Sequence, residues 1–179
     1  PLGEGLNETT MALRTSLIAG AGSGLGRALA LRYAAAGGAV ACADIVLERA
    51  QETVALLAGD GHATFQVDVG SDASFDALRG AVNAWAGADA GIDVLVNNAG
   101  IASGGPMVDS TMAEWREVLE INLLGVVRGC RAFLPGMLER GRGQILNIAS
   151  FAGLAGAPSS MSYGVAKACG VPRSGQLRA

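Results

Sequence analysis

The chain has 179 residues, of which 50% are apolar and 16% are charged. This balance is typical of a globular domain with a substantial core, and it excludes an intrinsically disordered chain. The formal net charge is −3 and no basic block occurs, so we expect no nucleic-acid partner. No uninterrupted apolar run reaches the length of a membrane span and no signal peptide is visible, so we expect no membrane partner and a cytoplasmic location.

Residue types that bind metals are sparse. The three cysteines, Cys42, Cys130 and Cys169, lie far apart, and no two of them form a Cys-x-x-Cys pair. His62 is the single histidine. The pattern favours buried free thiols in a reducing compartment and predicts no metal site.

Apolar runs alternate with helical segments along the chain. Residues 1–10 are polar and precede Met11, so we interpret them as a leader or cloning remnant ahead of one domain over residues 11–179. Strands are predicted at 15–19, 39–43, 63–67, 92–96 and 143–148. Helices are predicted at 25–36, 47–58, 72–86 and 111–138, and from about residue 159. Gly37-Gly38 is predicted to end the first helix, and Asp72 to cap the third.

This alternation predicts an α/β protein. Strands that are apolar throughout and separated by helices form parallel sheets buried on both faces. Right-handed crossovers then give a doubly wound, Rossmann-type parallel sheet in a three-layer αβα arrangement. Ligands bind such sheets at the carboxyl ends of the strands, where Gly20, Asp44, Asp68, Asn98 and Ser150 all fall.

A glycine-rich turn links the first strand to the first helix. It reads Gly20-x-x-x-Gly24-x-Gly26, with Ser23 and Leu25 beside the second glycine. Glycines allow a ligand to approach closely, and the free N–H groups of a helix start favour an anion such as a pyrophosphate. The spacing is a variant of the common Gly-x-Gly-x-x-Gly fingerprint, and a plain strand-to-helix loop is the alternative interpretation.

Asp44 follows the second strand, 18 residues after Gly26. A carboxylate at this place accepts hydrogen bonds from the adenosine ribose and repels a 2′-phosphate. The next residues, Ile45 and Val46, bring no positive charge. We therefore expect NAD as the cofactor in preference to NADP, with a solvated helix cap as the alternative role of Asp44.

Five motifs follow one another along the chain. They are the glycine turn, Asp68-Val69, Asn97-Asn98-Ala99-Gly100, Asn122 within Ile121-Asn122-Leu123, and Ser150 with Tyr163-x-x-x-Lys167. Ser150 precedes Tyr163 by 13 residues, and Tyr163 and Lys167 are four residues apart and so share one helix face. Together, over about residues 13–169, the motifs resemble the short-chain dehydrogenase/reductase family in its compact single-domain form.

The resemblance implies an oxidoreductase that transfers a hydride between NAD(H) and a small-molecule secondary alcohol or ketone. Tyr163 would be the general acid or base, and Lys167 would favour its phenolate and hold the nicotinamide ribose. Ser150 would bind the substrate oxygen, and Asn122 would hold a water that links Lys167 to solvent. The implied cofactor-binding residues are Gly20, Ser23, Gly24, Leu25, Gly26, Asp44, Asp68, Val69, Asn98, Ala99, Gly100, Tyr163 and Lys167.

Three departures from the family pattern bear on function. Ala19 replaces the threonine that usually precedes the first glycine, Pro172 interrupts the helix after Lys167, and family members continue beyond Ala179. The resemblance therefore implies C-terminal strands and a substrate-binding loop that this sequence lacks. A non-catalytic dinucleotide-binding or scaffold protein is the alternative function. The resemblance also implies a homodimer or homotetramer, formed through the long helix and the last helix.

Overall fold

Five parallel strands form the centre of the fold. The computed structural model of the protein describes residues 14–87, 90–102, 104–155 and 159–170. The strands are β1 (Ser16–Ala19), β2 (Val40–Asp44), β3 (Ala63–Gln66), β4 (Val94–Asn97) and β5 (Gln144–Asn147). Their order across the sheet is β3-β2-β1-β4-β5. The chain thus winds outward from β1 in both directions, which confirms the predicted Rossmann-type sheet.

Helices connect these strands within the described residues. They are α1 (Gly24–Ala35), α2 (Leu47–Val54), α3 (Asp72–Ala86), α4 (Met112–Leu119), α5 (Gly125–Glu139) and α6 (Met161–Gly170). A π-helical turn, Glu120–Leu124, joins α4 to α5, so that Met112–Glu139 is one continuous helix.

The predicted helices are present, but two of their ends were wrong. α2 stops at Val54, four residues before the predicted end at residue 58. The cap of α3 is Ser71, because its hydroxyl accepts a hydrogen bond from the N–H of Ser74, and Asp72 is the first helical residue instead. The polar segment 1–10 and the predicted break at Pro172 lie outside the described residues.

Side chains along each strand alternate between two apolar layers, one on each face of the sheet. On one face, Leu17 and Leu95 pack with Leu78 of α3 and Phe133 of α5. On the other face, strand residues pack with α1 and α2; the members of this layer include Ile18, Val40, Cys42, Val94, Val96, Ala30, Tyr33, Ala34 and Ala50. Burial of each Leu or Val contributes about 1.5–3 kcal/mol, so these two layers hold the three-layer αβα arrangement together.

Helices α1 and α5 end in tight glycine turns at the amino edge of the sheet. After α1, the N–H of Gly37 bonds the carbonyl of Ala34 over 2.9 Å, and the N–H of Gly38 bonds that of Tyr33 over 3.0 Å. A similar turn follows α5 at Gly141. The φ angles of Gly37 and Gly141 are 85° and 64°, and an added Cβ would meet nothing within 4 Å at either position. The turn therefore requires only the left-handed conformation that glycine adopts at little cost, and the predicted end at Gly37-Gly38 is confirmed.

The continuous helix Met112–Glu139 is, by its length and composition, apolar enough to cross a membrane, and it is the one such helix among the described residues. Within the fold, however, it belongs to a layer against the sheet. Its residues Val118, Phe133 and Met137 are buried. Phe133 and Met137 belong to the apolar layer that also contains Leu17 and Leu95. The helix is thus packed as a core helix of a Rossmann-type domain.

A buried polar contact joins the carboxyl ends of β4 and β5. Asn97 Nδ2 donates a hydrogen bond to Asn147 Oδ1 over 2.8 Å, and both side chains are buried. Helix α5 passes directly over this pair at Gly129, where an added Cβ would overlap Asn97 Oδ1. The missing side chain at position 129 therefore lets α5 approach the sheet.

This close approach predicts opposite effects for two Gly→Ala substitutions in helices. Gly129→Ala forces α5 away from Asn97 and should lower the free energy of unfolding by about 1–3 kcal/mol. Gly80→Ala in α3 has nothing within 4 Å of the added Cβ and should raise it by about 0.4–1 kcal/mol, because alanine restricts the unfolded chain. Urea unfolding monitored by circular dichroism measures both. Equal effects at the two positions would contradict the packing described here.

Candidate active site

A groove of about 360 Å³ opens at the carboxyl edge of the sheet. Ten of the predicted cofactor-binding residues line it: Gly20, Ser23, Gly24, Leu25, Asp44, Asp68, Val69, Asn98, Ala99 and Gly100. Gly26 is buried beneath its floor. Four apolar residues that were not predicted to bind the cofactor also line the groove, namely Ile45, Val67, Ile101 and Ile121.

The glycine turn is held against the loop that follows β4. Asn98 Nδ2 donates to the carbonyl of Gly20 over 3.0 Å. An added Cβ on Gly20 would lie 2.8 Å from Ala99 Cα, and one on Gly26 would overlap the carbonyl of Gly20. Side chains at these glycines would therefore push the two loops apart. Ser23 is the N-cap residue of α1 but its side chain makes no capping bond, so N–H groups at this helix start are available to an anion.

The back of the glycine turn is fixed by two polar side chains. Thr53 of α2 is fully buried and donates to the carbonyl of Ala21 over 2.9 Å. Arg27 donates to the carbonyl of Gly22 over 2.5 Å and to Thr53 Oγ1 over 2.9 Å. These bonds keep the carbonyls of Ala21 and Gly22 turned toward α2 and Arg27. They supply side-chain support to a turn in which Ala19 provides none.

Asp44 is also part of this support. Its Oδ2 accepts a hydrogen bond from the N–H of Gly22 over 2.8 Å, and its Oδ1 accepts one from the N–H of Val46, the cap residue of α2, over 3.1 Å. Asp44 therefore also contributes to the start of α2, which was the alternative role expected for it. A carboxylate has about four acceptor positions, so two bonds leave room for the hydroxyls of a ribose.

Asn122 is buried in the π-helical turn and binds the loop after β4. Its Oδ1 accepts from the N–H of Ile101 over 2.9 Å, and its Nδ2 donates to the carbonyl of Ile101 over 2.6 Å. The turn is wider than an α-helix, because the N–H of Gly125 bonds the carbonyl of Glu120 five residues earlier. The paired bonds fix the position of Asn122 at one end of the groove.

Lys167 is buried beside Asn122. Its Nζ donates to the carbonyl of Ile148 over 2.8 Å and lies 5.8 Å from the centre of the Tyr163 ring. An added Cβ on Gly100 would lie 2.6 Å from Asn122 Oδ1 and 3.7 Å from Lys167 Nζ, so both groups border the same backbone segment. Burial lowers the pKa of Lys167 below its ordinary value.

Ser150 reaches this region through close packing of α6. Ser150 Oγ accepts a hydrogen bond from the N–H of Ala152 and caps a short 3₁₀ turn, Phe151–Gly153. An added Cβ on Gly153 would lie 2.7 Å from the backbone of Lys167, so the turn presses against α6. The described contacts include no hydrogen bond between Ser150 and Tyr163. The fold places Lys167 near the Tyr163 ring and places Lys167 and Asn122 against the same glycine, Gly100. Ser150 is brought near Lys167 through the backbone packing of Gly153.

Comparison with known proteins agrees with this geometry. The short chain dehydrogenase family model matches residues 14–175. The chain belongs to the short-chain dehydrogenase/reductase family. The parallel sheet with its flanking helices is therefore the family's fold in this chain.

Curated relatives and solved structures of the family show how far the similarity extends. D-threitol dehydrogenase from Mycolicibacterium smegmatis is 38% identical over 156 residues, which cover 86% of this chain and 59% of the relative. The 3-alpha-(or 20-beta)-hydroxysteroid dehydrogenase of Mycobacterium tuberculosis is 37% identical over 154 residues, covering 86% and 58%. A short-chain dehydrogenase/reductase from Burkholderia phymatum, solved in complex with NAD, is 32% identical with a TM-score of 0.82, covering 93% and 59%. The chain thus spans a little under three fifths of these relatives.

Some functional features of this short-chain dehydrogenase/reductase site had no signal in the sequence. The carbonyl of Ile148 holds Lys167, but any residue has a carbonyl. Thr53 and Arg27 support the glycine turn from positions that otherwise indicate an ordinary helix. Ile121 stands beside Asn122 in one of the five motifs, and this neighbourhood is the signal that could have placed it at the groove.

Metal-binding groups do not gather in the described part of the chain. No three His, Cys, Asp or Glu side chains within residues 14–87, 90–102, 104–155 and 159–170 are placed to share a metal ion. No disulfide joins Cys42, Cys130 and Cys169 within the described residues. Cys42 is buried, as the sequence predicted, whereas Cys169 is exposed, so the expected burial was wrong for Cys169. Burial in β2 raises the pKa of the Cys42 thiol to about 12, so this thiol is unreactive at neutral pH.

The lowered pKa of Lys167 predicts a pH-dependent stability difference. In the unfolded chain the pKa of Lys167 has the ordinary lysine value of about 10.4. In the folded protein its pKa is lower, so Lys167 loses its proton at a lower pH. Between these two values the unfolded chain binds more protons, so rising pH favours the folded state. The free energy of unfolding of the wild type, relative to Lys167→Met, should therefore rise between about pH 8 and about pH 10. Urea unfolding of both proteins at the two pH values measures this difference; a constant difference would contradict the buried position of Lys167.

Proposed function

We propose that the protein transfers a hydride between NAD(H) and a secondary alcohol or ketone, with Tyr163 as the general acid or base. The observation that carries this proposal is the position of Lys167. Its buried Nζ lies 5.8 Å from the centre of the Tyr163 ring. Like Asn122, it borders Gly100, which lines the groove. A lysine buried next to a tyrosine has a clear chemical use in proton transfer, whereas its burial alone costs stability.

The groove residues fit a dinucleotide in one orientation, with its adenosine near Asp44 and its nicotinamide toward Asn122. The uncapped start of α1 suits the pyrophosphate, and Asp44 has acceptor positions for the adenosine ribose. Asp68 and Val69 follow β3 and are proposed to contact the adenine. Asn98, Ala99 and Gly100 form the floor toward Asn122. The Burkholderia phymatum relative with bound NAD supports this assignment.

The nicotinamide of the bound cofactor would supply the hydride chemistry, and the chain's own residues would supply position and proton transfer. Tyr163 takes the hydroxyl proton in oxidation and returns it in reduction. The Lys167 ammonium favours the phenolate form of Tyr163 through its positive charge and is proposed to bind the nicotinamide ribose. Ser150 Oγ donates its proton as a hydrogen bond to the substrate oxygen, since its present bond uses only an acceptor position.

Asn122 completes the proposed proton path. Its bonds to Ile101 leave one lone pair on Oδ1 and one N–H on Nδ2. A water bound there would connect Lys167 to solvent and let the lysine recover its proton after each turnover. The anchoring of Asn122 by Ile101 would keep that water in a fixed place.

The partner and location of the protein follow from the same proposal. We propose a small-molecule substrate, no nucleic-acid or membrane partner, a cytoplasmic location, and a homodimer or homotetramer. Exposed apolar residues of the π-helical turn and of α6, namely Leu124, Met161 and Val165, support the homo-oligomer. The curated relatives named above are a threitol dehydrogenase and a hydroxysteroid dehydrogenase, so both polyols and apolar alcohols belong in a substrate screen.

Cofactor preference tests the role of Asp44. The wild type should bind NADH at least about tenfold more tightly than NADPH, because the buried carboxylate repels a 2′-phosphate. Asp44→Ala combined with Ile45→Arg removes the repulsion and adds a guanidinium, so the preference should shrink or invert. Titration of both cofactors, followed by NADH or NADPH fluorescence, gives the dissociation constants. Ile45→Arg alone is the control, and tighter binding of NADPH by the wild type would show that the role of Asp44 is wrong.

Loss of the Tyr163 hydroxyl should strongly lower turnover but leave NADH binding intact. Tyr163→Phe keeps the ring and should reduce kcat by about 10²–10⁴-fold, while the dissociation constant of NADH changes little. A screen of secondary alcohols and ketones, read by NADH absorbance, first identifies a substrate. Lys167→Met is the comparison and should weaken both binding and turnover. Near-normal turnover of Tyr163→Phe would remove Tyr163 from the mechanism, and NADH binding without any turnover by the wild type would favour a non-catalytic dinucleotide-binding protein.

A further inference from the structure

A single arginine of α5 connects three separate parts of the chain. Arg128 is largely buried, with 15% of its side chain exposed. Its Nη1 donates to the carbonyls of Val69 and Glu120, each over 3.3 Å. Its Nε pairs with Asp72 at the start of α3 over 2.5 Å, and its Nη2 pairs with the Glu120 carboxylate. Four of the five N–H groups of the guanidinium are thus used.

Two of these partners belong to separate segments of the chain that both contribute residues to the proposed cofactor site. Val69 follows β3 and lines the end of the groove where the adenine is proposed to bind. Glu120 is the first residue of the π-helical turn that carries Ile121 and Asn122. The two segments also touch, since an added Cβ on Gly70 would lie 3.7 Å from Glu120 Cγ.

We propose that Arg128 is a positioning residue that sets the adenine loop and the Asn122 turn in one fixed relation. The guanidinium is planar and its donors have fixed directions, so one side chain can hold two backbone carbonyls at a set separation. Lysine has the charge but not this geometry. The proposal rests on the proposed function, because it assigns Arg128 to both the binding and the proton-transfer ends of that site.

Neighbouring arginines make a matched control available. Arg128 lines a surface cavity of about 470 Å³ together with Arg79 and Arg131. Arg131 lies one turn further along α5 and is exposed. Arg79 is half exposed and pairs with Asp76 within its own helix. Substitution of Arg131 therefore changes the charge of the same cavity without disturbing the bonds to Val69 and Glu120.

The experiment compares Arg128→Lys and Arg128→Met with Arg131→Met. The adenine end is read by titration with AMP and with NADH. The Asn122 end is read by hydrogen exchange of the Ile101 amide, which bonds Asn122 Oδ1, with the buried Leu95 amide of β4 as the reference for general stability. Both Arg128 variants should weaken AMP and NADH binding by about tenfold and speed Ile101 exchange by about tenfold relative to Leu95. Arg131→Met should change neither.

Each outcome decides between positioning and mere stability. If Arg128→Lys folds, as judged by its melting temperature, and leaves AMP affinity and Ile101 exchange unchanged, the proposal is overturned. A change in AMP affinity without a change in Ile101 exchange, or the reverse, overturns the proposal that Arg128 holds the two segments in one fixed relation. If Arg128→Met does not fold, Arg128→Lys alone carries the test. A wild type that binds neither AMP nor NADH contradicts the proposed function and this inference with it, whereas normal wild-type binding with unaffected Arg128 variants contradicts this inference alone.

Discussion

The pairing of β1 with β4 is the constraint on which the site depends. In the parallel register Ala19 lies opposite Asn97, so the glycine turn after β1 and the loop after β4 leave the sheet side by side. Asn98 then reaches the carbonyl of Gly20, and Ala99 fills the space that a side chain at Gly20 would need. A shift of one residue in this register would turn alternate side chains to the wrong face and separate the two loops. The groove, the helix start and the position of Asn122 all follow from this contact.

Burial of charge near Tyr163 shows what the site costs the fold. Lys167 loses much of its hydration on burial. In exchange, its Nζ donates one hydrogen bond to a backbone carbonyl, that of Ile148. The lowered pKa is the measure of that loss. Small residues make the arrangement possible, since Gly153 and Gly164 allow the 3₁₀ turn after β5 to lie against α6. The apolar layers elsewhere in the sheet must offset this local cost.

Local patterns in the sequence predicted the fold and most of the groove, because strands, glycine turns and strand-end polar residues carry their own signals. The order of apolar runs and helices led to the parallel sheet, and Asp44 and Gly20 were found at its carboxyl edge. Long-range contacts had no such signal. Arg128 would be interpreted as a solvated helix residue, yet it bonds Val69, 59 positions earlier in the chain. The π-helical turn was also missed, since its residues have ordinary helical propensities and only the tertiary contact of Asn122 with Ile101 indicates a wider turn.

The two edges of the sheet differ in how freely they can change. Glycines at the carboxyl edge, such as Gly20 and Gly26, are required by what lies next to them, so every larger residue is excluded. Gly37 and Gly141 at the opposite edge are required only by the handedness of a turn in open space. Asparagine, which tolerates that handedness, can therefore replace them during evolution, and a peptide tag or a fused domain can be inserted there. These two turns, which lie away from the groove, are where this chain can diversify or be engineered without altering the groove.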